Sequence, residues 1–325
     1  MVRLLAKSVF FGAVLAGAAL TGSGSAWAEY PERPIRVVVS FPAGGAADVL
    51  ARAIAAPLSK SLNQQVIVDN RPGADGLIAG EAVARAAPDG YTLFFGTSTT
   101  LSYAPAIHRA MPFDPVASFT PIGSVSDVSY FLYASGNTSV RSVDDLLVLA
   151  RAQPRTVNYG SGAASGVLLA ALFAQEAKLQ MTHVPYKGEA PMLQDLLAGR
   201  VQVAFATAGV ALAHAREGRL RVIATADAKR NPAVPEVPTL REAGVALRLP
   251  IAWTGLFGPA GMPAAAVERI SRELRLVLAR AETREHFERM GLQPMSLSPL
   301  DFGAFVKQQQ GAWSAAVEAA GIKPQ

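Results

Sequence analysis

Phe41-Pro42-Ala43-Gly44-Gly45-Ala46-Ala47-Asp48 decides how this chain is read. Before it lies a β-rich run, Ile35 to Ser40. After it, Val49, Leu50, Ala53, Ile54, Pro57 and Leu58 repeat at the spacing of one helical face, which predicts a helix from Val49 to Leu62. Asp48 is placed to cap that helix, and Pro57 should kink or shorten it. A Pro/Gly turn from a strand into a helix leaves backbone N–H groups without internal partners. Those groups and the positive end of the helix dipole attract anions. The stretch therefore reads as one wall of an anion pocket.

Working outward, strand and helix signals alternate. Val66 to Val68 and Tyr91 to Phe95 read as strands, Leu77 to Ala87 as a helix, and Gly96-Thr97-Ser98-Thr99-Thr100 as a polar loop. Met111 to Ile122 is Pro-rich and expected to be irregular. The logic then repeats from residue 125 without repeating the sequence. Helices are expected at 143–152, 167–176, 191–197 and 210–216, and strands at 157–159, 183–186, 201–206 and 220–225. The small-residue loop 160–166 follows the first of these strands. Trp253 to Phe257 reads as a strand returning to the first half. Two helices close the chain, one over 263–280 and one starting at Ser298 with Asp301 in a capping-box arrangement. Alternation of this kind predicts parallel α/β sheets in two domains, residues 29–125 with 251–325 and residues 126–250.

The 325 residues are half hydrophobic and 17% charged, enough apolar material for large cores. There is no cysteine, which excludes disulfides, thiolate metal sites and a lipoprotein anchor. Arg3 and Lys7, the apolar run Val9 to Leu20 and Ala26-Trp27-Ala28 form a signal-peptide pattern, residues 1–28, cut after Ala28. Removing it leaves 28 Lys+Arg against 25 Asp+Glu, with no long basic run. Nothing there favours nucleic acid as a partner.

Enzyme signatures are missing. There is no Gly-Lys-Ser/Thr phosphate loop, no G-x-G-x-x-G after the first strand and no G-x-S-x-G elbow. His108, His183, His214 and His286 are scattered, with no pair at metal spacing. No metal and no cofactor are expected. In α/β sheets, ligands bind outside the carboxyl ends of the strands. Here those ends carry Gly, Ala, Ser and Thr, suited to clasping an anion with amides and hydroxyls. Lys187 adds a candidate positive charge.

Several motifs, taken in order, resemble the Bug-type receptors of tripartite tricarboxylate transporters, which are extracytoplasmic solute receptors. They are Tyr30-Pro31 with Pro34-Ile35-Arg36, Phe41 to Gly45 with Asp48, Asn70-Arg71-Pro72-Gly73-Ala74 and Ala87 to Leu93. They continue as Pro112-Phe113-Asp114-Pro115, Phe119-Thr120-Pro121-Ile122, Asn158 to Ser161, Val184 to Gly188, Asp195 to Gly199, Val237-Pro238-Thr239 with Glu242-Ala243-Gly244, and Pro259-Ala260-Gly261 with Pro263.

The resemblance spans nearly all of the mature chain. It implies a periplasmic-binding-protein type II fold that closes by a hinge on a small organic acid. It further implies a monomer working with the membrane subunits of a tripartite-type transporter. One wall would be Phe41, Pro42, Ala43, Gly44, Gly45 and Ala46 with Asp48, Ser98 and Thr99. The other would be Ser161, Gly162, Ala163, Ala164 and Ser165 with Tyr186 and Thr207.

Three positions depart from the family pattern. Ala47 replaces a hydroxyl residue, Val167 stands near a usual histidine, and Thr207 replaces an acid or amide. The resemblance then implies a more apolar pocket and argues against an amino-acid ligand, because an acid at 207 would pair with an amine. Two other readings stay open: an exported α/β hydrolase-like enzyme, and a receptor for a neutral or amide ligand.

Overall fold

The computed structural model describes residues 30–247 and 250–324. The signal-peptide segment, 1–28, lies outside the described residues.

Two sheets organise the chain, each covered by helices on both faces. The first is ordered β11-β4-β10-β3-β1-β2, where β1 is Ile35–Val39, β2 Val66–Asn70, β3 Thr92–Thr97, β4 Phe119–Asp127, β10 Trp253–Pro259 and β11 Gln293–Pro294. The second is ordered β7-β6-β8-β5-β9, where β5 is Tyr130–Ser135, β6 Asn158–Ser161, β7 Thr182–Pro185, β8 Val203–Thr207 and β9 Leu220–Thr225.

The helices are α1 Ala46–Leu62, α2 Leu77–Ala84, α3 Ala104–Ile107, α4 Val143–Ala152, α5 Ala164–Glu176, α6 Glu189–Leu197, α7 Ala208–Arg216, α8 Ala264–Ala279, α9 Ala281–Arg289 and α10 Pro299–Ala319.

Strand alternation explains the two-sided cores. In β1, Ile35, Val37 and Val39 pack with Ile54 and Leu58 of α1 and Ile270 and Leu274 of α8. Val38 faces the other way, toward Phe94, Phe257 and Phe302. The second sheet divides likewise, with Leu132 and Phe205 on one face and Phe131, Tyr133 and Ala206 on the other. Burying a side chain of this size contributes about 1.5–3 kcal/mol, so each sheet is held from both sides.

The sheets are mixed, which corrects the parallel expectation. β1 runs parallel to β2 and β3, but β10 is antiparallel to β3 and β4. β5 is antiparallel to β8 and β9. β11 is also antiparallel to β4, and for β5 and β10 chain crossing is the cause. A strand that enters a domain from the cleft side must run against the strands whose carboxyl ends face the cleft. β5 and β10 are the two that enter this way.

Other differences are local. α1 continues through Pro57, with Ile54, Leu58 and Leu62 buried on both sides of it. Gly45, not Asp48, is its N-cap, and Asp48 sits inside the first turn. The polar stretch 96–100 is not a loop: β3 runs to Thr97 and a wide helical turn covers Thr99–Tyr103. β4 begins inside the segment expected to be irregular. The loop 160–166 shrinks to Gly162 and Ala163, because β6 reaches Ser161 and α5 starts at Ala164. α9 was not expected. Its sequence is mostly charged, and only Thr283 and Phe287 are buried.

α10 ties the halves together. Ser298 caps it, accepting the Asp301 N–H at 3.2 Å. Phe302 and Val306 join the first core, while Trp313 and Val317 pack with Tyr103 and with Leu168 of α5. The Trp313 indole also donates to the Ile251 carbonyl at 3.2 Å. This places the helix alongside the second crossing of the chain.

Candidate functional site

A cleft of about 480 Å³ opens between the two sheets. Its first wall is the β1–α1 turn, from Phe41 to Ala47. The Gly45 N–H donates to the Pro42 carbonyl at 3.2 Å, which closes a tight turn. Gly44 takes φ +78°, a conformation that favours glycine. Val49 N–H makes the first bond of α1, to the Gly45 carbonyl, so the amides of Ala46 and Ala47 have no helical acceptor.

Asp48 is 3% exposed and does not line the cleft. It holds the turn from behind. Its carboxylate accepts from Gly44 N–H at 2.9 Å, Asn70 Nδ2 at 2.9 Å and Arg52 Nε at 2.9 Å. Burial pushes its pKa up. The Arg52 guanidinium, the Gly44 amide and Asn70 outweigh that and hold it below the usual carboxylate range.

Thr97, Ser98, Thr99, Trp253 and Thr254 form the floor. The floor hydroxyls are bonded locally, while the buried Trp253 indole N–H has no partner among the described residues. Ser98 Oγ accepts the Trp253 backbone N–H at 3.3 Å, and Ser126 and Thr254 hydroxyls meet at 3.0 Å. Thr99 Oγ1 lies 3.5 Å from Ser165 Oγ of the opposite half.

Gly162 and Ala163, the turn Lys187 to Pro191, Thr207 and Gly209 make the second wall. A Cβ on Gly162 would fall 2.3 Å from the Gly188 backbone. Two turns therefore touch here, which sets Glu189 facing the cleft. Thr207 N–H donates to Glu189 Oε1 at 3.2 Å, and Thr207 Oγ1 to Oε2 at 2.6 Å. Burial raises the Glu189 pKa, and the two Thr207 bonds oppose the rise without reversing it.

Of the residues selected from sequence, the structure brings Phe41, Pro42, Ala43, Gly44, Gly45, Ala46, Ser98, Thr99, Gly162, Ala163 and Thr207 into one lining. The others lie elsewhere. Ser161 is 3% exposed and its hydroxyl meets His183 Nε2 at 2.6 Å. Ala164 packs into the cluster around Trp313. Ser165 lines a neighbouring cavity with Asp127 and Asp227. Tyr186 donates to Asp195 Oδ2 at 2.7 Å, away from the cleft. Val167, one of the three departures, is not in the lining either.

Glu189 was missed as a site residue. It reads as an ordinary first-turn acid, and only the Gly162–Gly188 contact reveals where it points. No acid stands at 207, but Glu189 places a carboxylate against that residue.

Two α/β domains crossed by two segments and facing a cleft of amides and hydroxyls define the fold of periplasmic solute-binding proteins. The family model described as "Tripartite tricarboxylate transporter family receptor" matches residues 50–322. The chain belongs to this receptor family.

Protein BugT of Bordetella pertussis is 32% identical over 326 residues, covering 99% of each chain. The solved structure of R. palustris Rpa4515 with adipate is 34% identical, with TM-score 0.87 over 91% of this chain and 100% of that one. MatC from Rhodopseudomonas palustris with bound malate is 29% identical, with TM-score 0.79 over 89% of this chain and 100% of that one. None of the described helices is long and apolar enough to cross a membrane.

Proposed function

We propose that this chain is a periplasmic receptor that traps a small carboxylate by closure of its two domains. It acts as a monomer and hands the ligand to the membrane subunits of a tripartite-type transporter. The leader 1–28 exports it. The closing bodies are residues 29–125 with 251–325, and residues 126–250.

The observation that carries this reading is that four helix N-termini open on one cleft. They are α1 at Ala46, α5 behind Ala163, α6 at Glu189 and α7 behind Thr207. Their amides and dipole ends favour an anion. The adipate and malate held by two relatives support the same ligand class. In this reading the Ala46 and Ala47 amides, the Ser98 and Thr99 hydroxyls and the Gly162–Ala163 backbone contact the ligand. Asp48, Ser161 and Tyr186 hold the segments that do.

Ser161 and His183 form the one hydrogen-bonded serine–histidine pair among the described residues. Neither residue lines the cleft, and among the described residues no carboxylate engages the other imidazole nitrogen. The pair satisfies a buried hydroxyl and lacks the access and the third group of a nucleophilic site.

Thermal-shift screening of the processed protein tests the reading. A carboxylate at a hundred times its Kd should stabilise the fold by about 2.7 kcal/mol. Stabilisation by neutral compounds alone would overturn the carboxylate reading, and turnover of a bound compound, read by mass spectrometry, would overturn the receptor reading.

A further inference from the structure

Glu189 is the single acidic side chain in the lining of the cleft among the described residues. The turns and helix starts around it suit an anion, so a carboxylate facing the same space requires a reason. Its two oxygens accept from the amide and the hydroxyl of Thr207. The hydroxyl bond is short, at 2.6 Å. Each carboxylate oxygen has two acceptor positions, so one position on each oxygen stays unused.

Burial disfavours the charged form of Glu189, and no cation among the described residues counters that. Thr207 alone among the described residues counters the effect of burial on Glu189. Lys187 lines the same cleft from the preceding turn but belongs to an exposed part of it. Closure would bury Glu189 further, and a buried charge without a partner is strongly disfavoured. A plain dicarboxylate would bring like charge to this wall. A ligand with a protonated nitrogen would supply the missing partner.

The opposite wall presents the α1 amides of Ala46 and Ala47, which suit a carboxylate. The second wall also carries the N-termini of α5, α6 and α7, so Glu189 is the one acid there, among the described residues, that favours a cation.

We infer that Glu189 is a specificity-determining residue, and that the ligand is an amino-carboxylate whose ammonium group binds Glu189 while its carboxylate binds the start of α1. This rests on the carboxylate-receptor reading and deepens it. Thr207 is a positioning residue that holds the Glu189 carboxylate toward the cleft. A purely structural Glu189 would serve only as a cap for α7.

The test is calorimetric titration of the processed protein with matched pairs: succinate against aspartate, glutarate against glutamate, and adipate against its α-amino derivative. At least one amino member should bind the wild type about ten-fold or more tighter than its plain partner, the scale of one charge-assisted hydrogen bond. In Glu189→Gln that ratio should collapse to about one, because the amide keeps the Thr207 N–H bond and loses the charge.

A wild type that prefers the plain member of every pair overturns the inference, whatever the variant does. So does a preference that survives Glu189→Gln. Binding of plain carboxylates alone leaves the receptor reading standing. Binding of none of the six overturns the inference, while the receptor reading is then decided by the wider carboxylate screen.

Discussion

Asp48 Oδ2 accepts the Gly44 amide at 2.9 Å, so the buried acid at the start of α1 fixes the turn that faces the cleft. Asp48→Ala removes that acceptor together with the one used by Asn70 Nδ2. Gly44 N–H, Asn70 Nδ2 and Arg52 Nε all lose an acceptor, though Asn70 Nδ2 keeps the Phe41 carbonyl at 3.0 Å, and each such bond contributes about 0.5–1.5 kcal/mol. The expected outcome is a lower Tm and ligand binding weakened by about ten-fold or more. Chemical denaturation and calorimetric titration of the same preparation read both effects. An unchanged Kd would show that the turn keeps its shape without Asp48.

Gly44 and Gly45 should respond differently to substitution. At φ +78° Gly44 has open space around a built Cβ, so Gly44→Ala meets backbone strain alone, about 1–2 kcal/mol. Gly45, at φ −76°, accepts a side chain, and its Cβ meets only the Pro42 carbonyl at 3.3 Å. Gly45→Val is expected to abolish binding, at a stability cost of about 1–2 kcal/mol for a β-branched N-cap. Thermal melts with and without ligand separate the two.

Thr207→Val tests how Glu189 is held. The variant keeps the amide bond and loses the hydroxyl bond at 2.6 Å. Thr207 is the N-cap residue of α7, but its side chain makes no bond to that helix. α7 should therefore persist. Leaving one Glu189 oxygen with an empty position should cost about 1–3 kcal/mol, and Thr207→Ser should restore it. Any change in ligand selectivity should follow the Glu189→Gln variant in direction.

Asp127, at the first crossing between the sheets, has its pKa pushed up to about 6 by burial and then by the nearby Asp227. The native chain then binds more protons than the unfolded chain between about pH 4 and pH 6. Stability should fall as pH rises through that window and level off above it. Asp127→Asn keeps an oxygen for the Gln293 N–H, now 3.2 Å from Oδ1. It should raise stability at pH 7.5 by at most about 2–3 kcal/mol, less for the partial exposure of the group. Melts at pH 5 and pH 7.5 check this. A wild type more stable at pH 7.5 than at pH 5 would contradict it.

The sequence alone determined what depends on neighbours along the chain. The alternation of Ile35, Val37 and Val39, the Gly44–Gly45 turn, the Ser298 cap and the succession of strands and helices are all local signals. They were enough for a two-domain α/β chain with small-residue turns at the carboxyl ends of its strands, and the resemblance of its motifs added the receptor reading. Even so, the mostly charged α9 was too polar to be seen.

Tertiary structure decided what depends on direction and on contact at a distance. Whether β5 and β10 run with or against their neighbours follows from the side on which the chain enters each sheet, and no local pattern records that. The same holds at the cleft. Asp48, Ser161 and Tyr186 carry the residue types of a binding site, yet each turns to a partner inside its own domain. Glu189 resembles an ordinary first-turn acid, and it faces the ligand space only because the turns at Gly162 and Gly188 pack backbone to backbone, 26 residues apart in the chain.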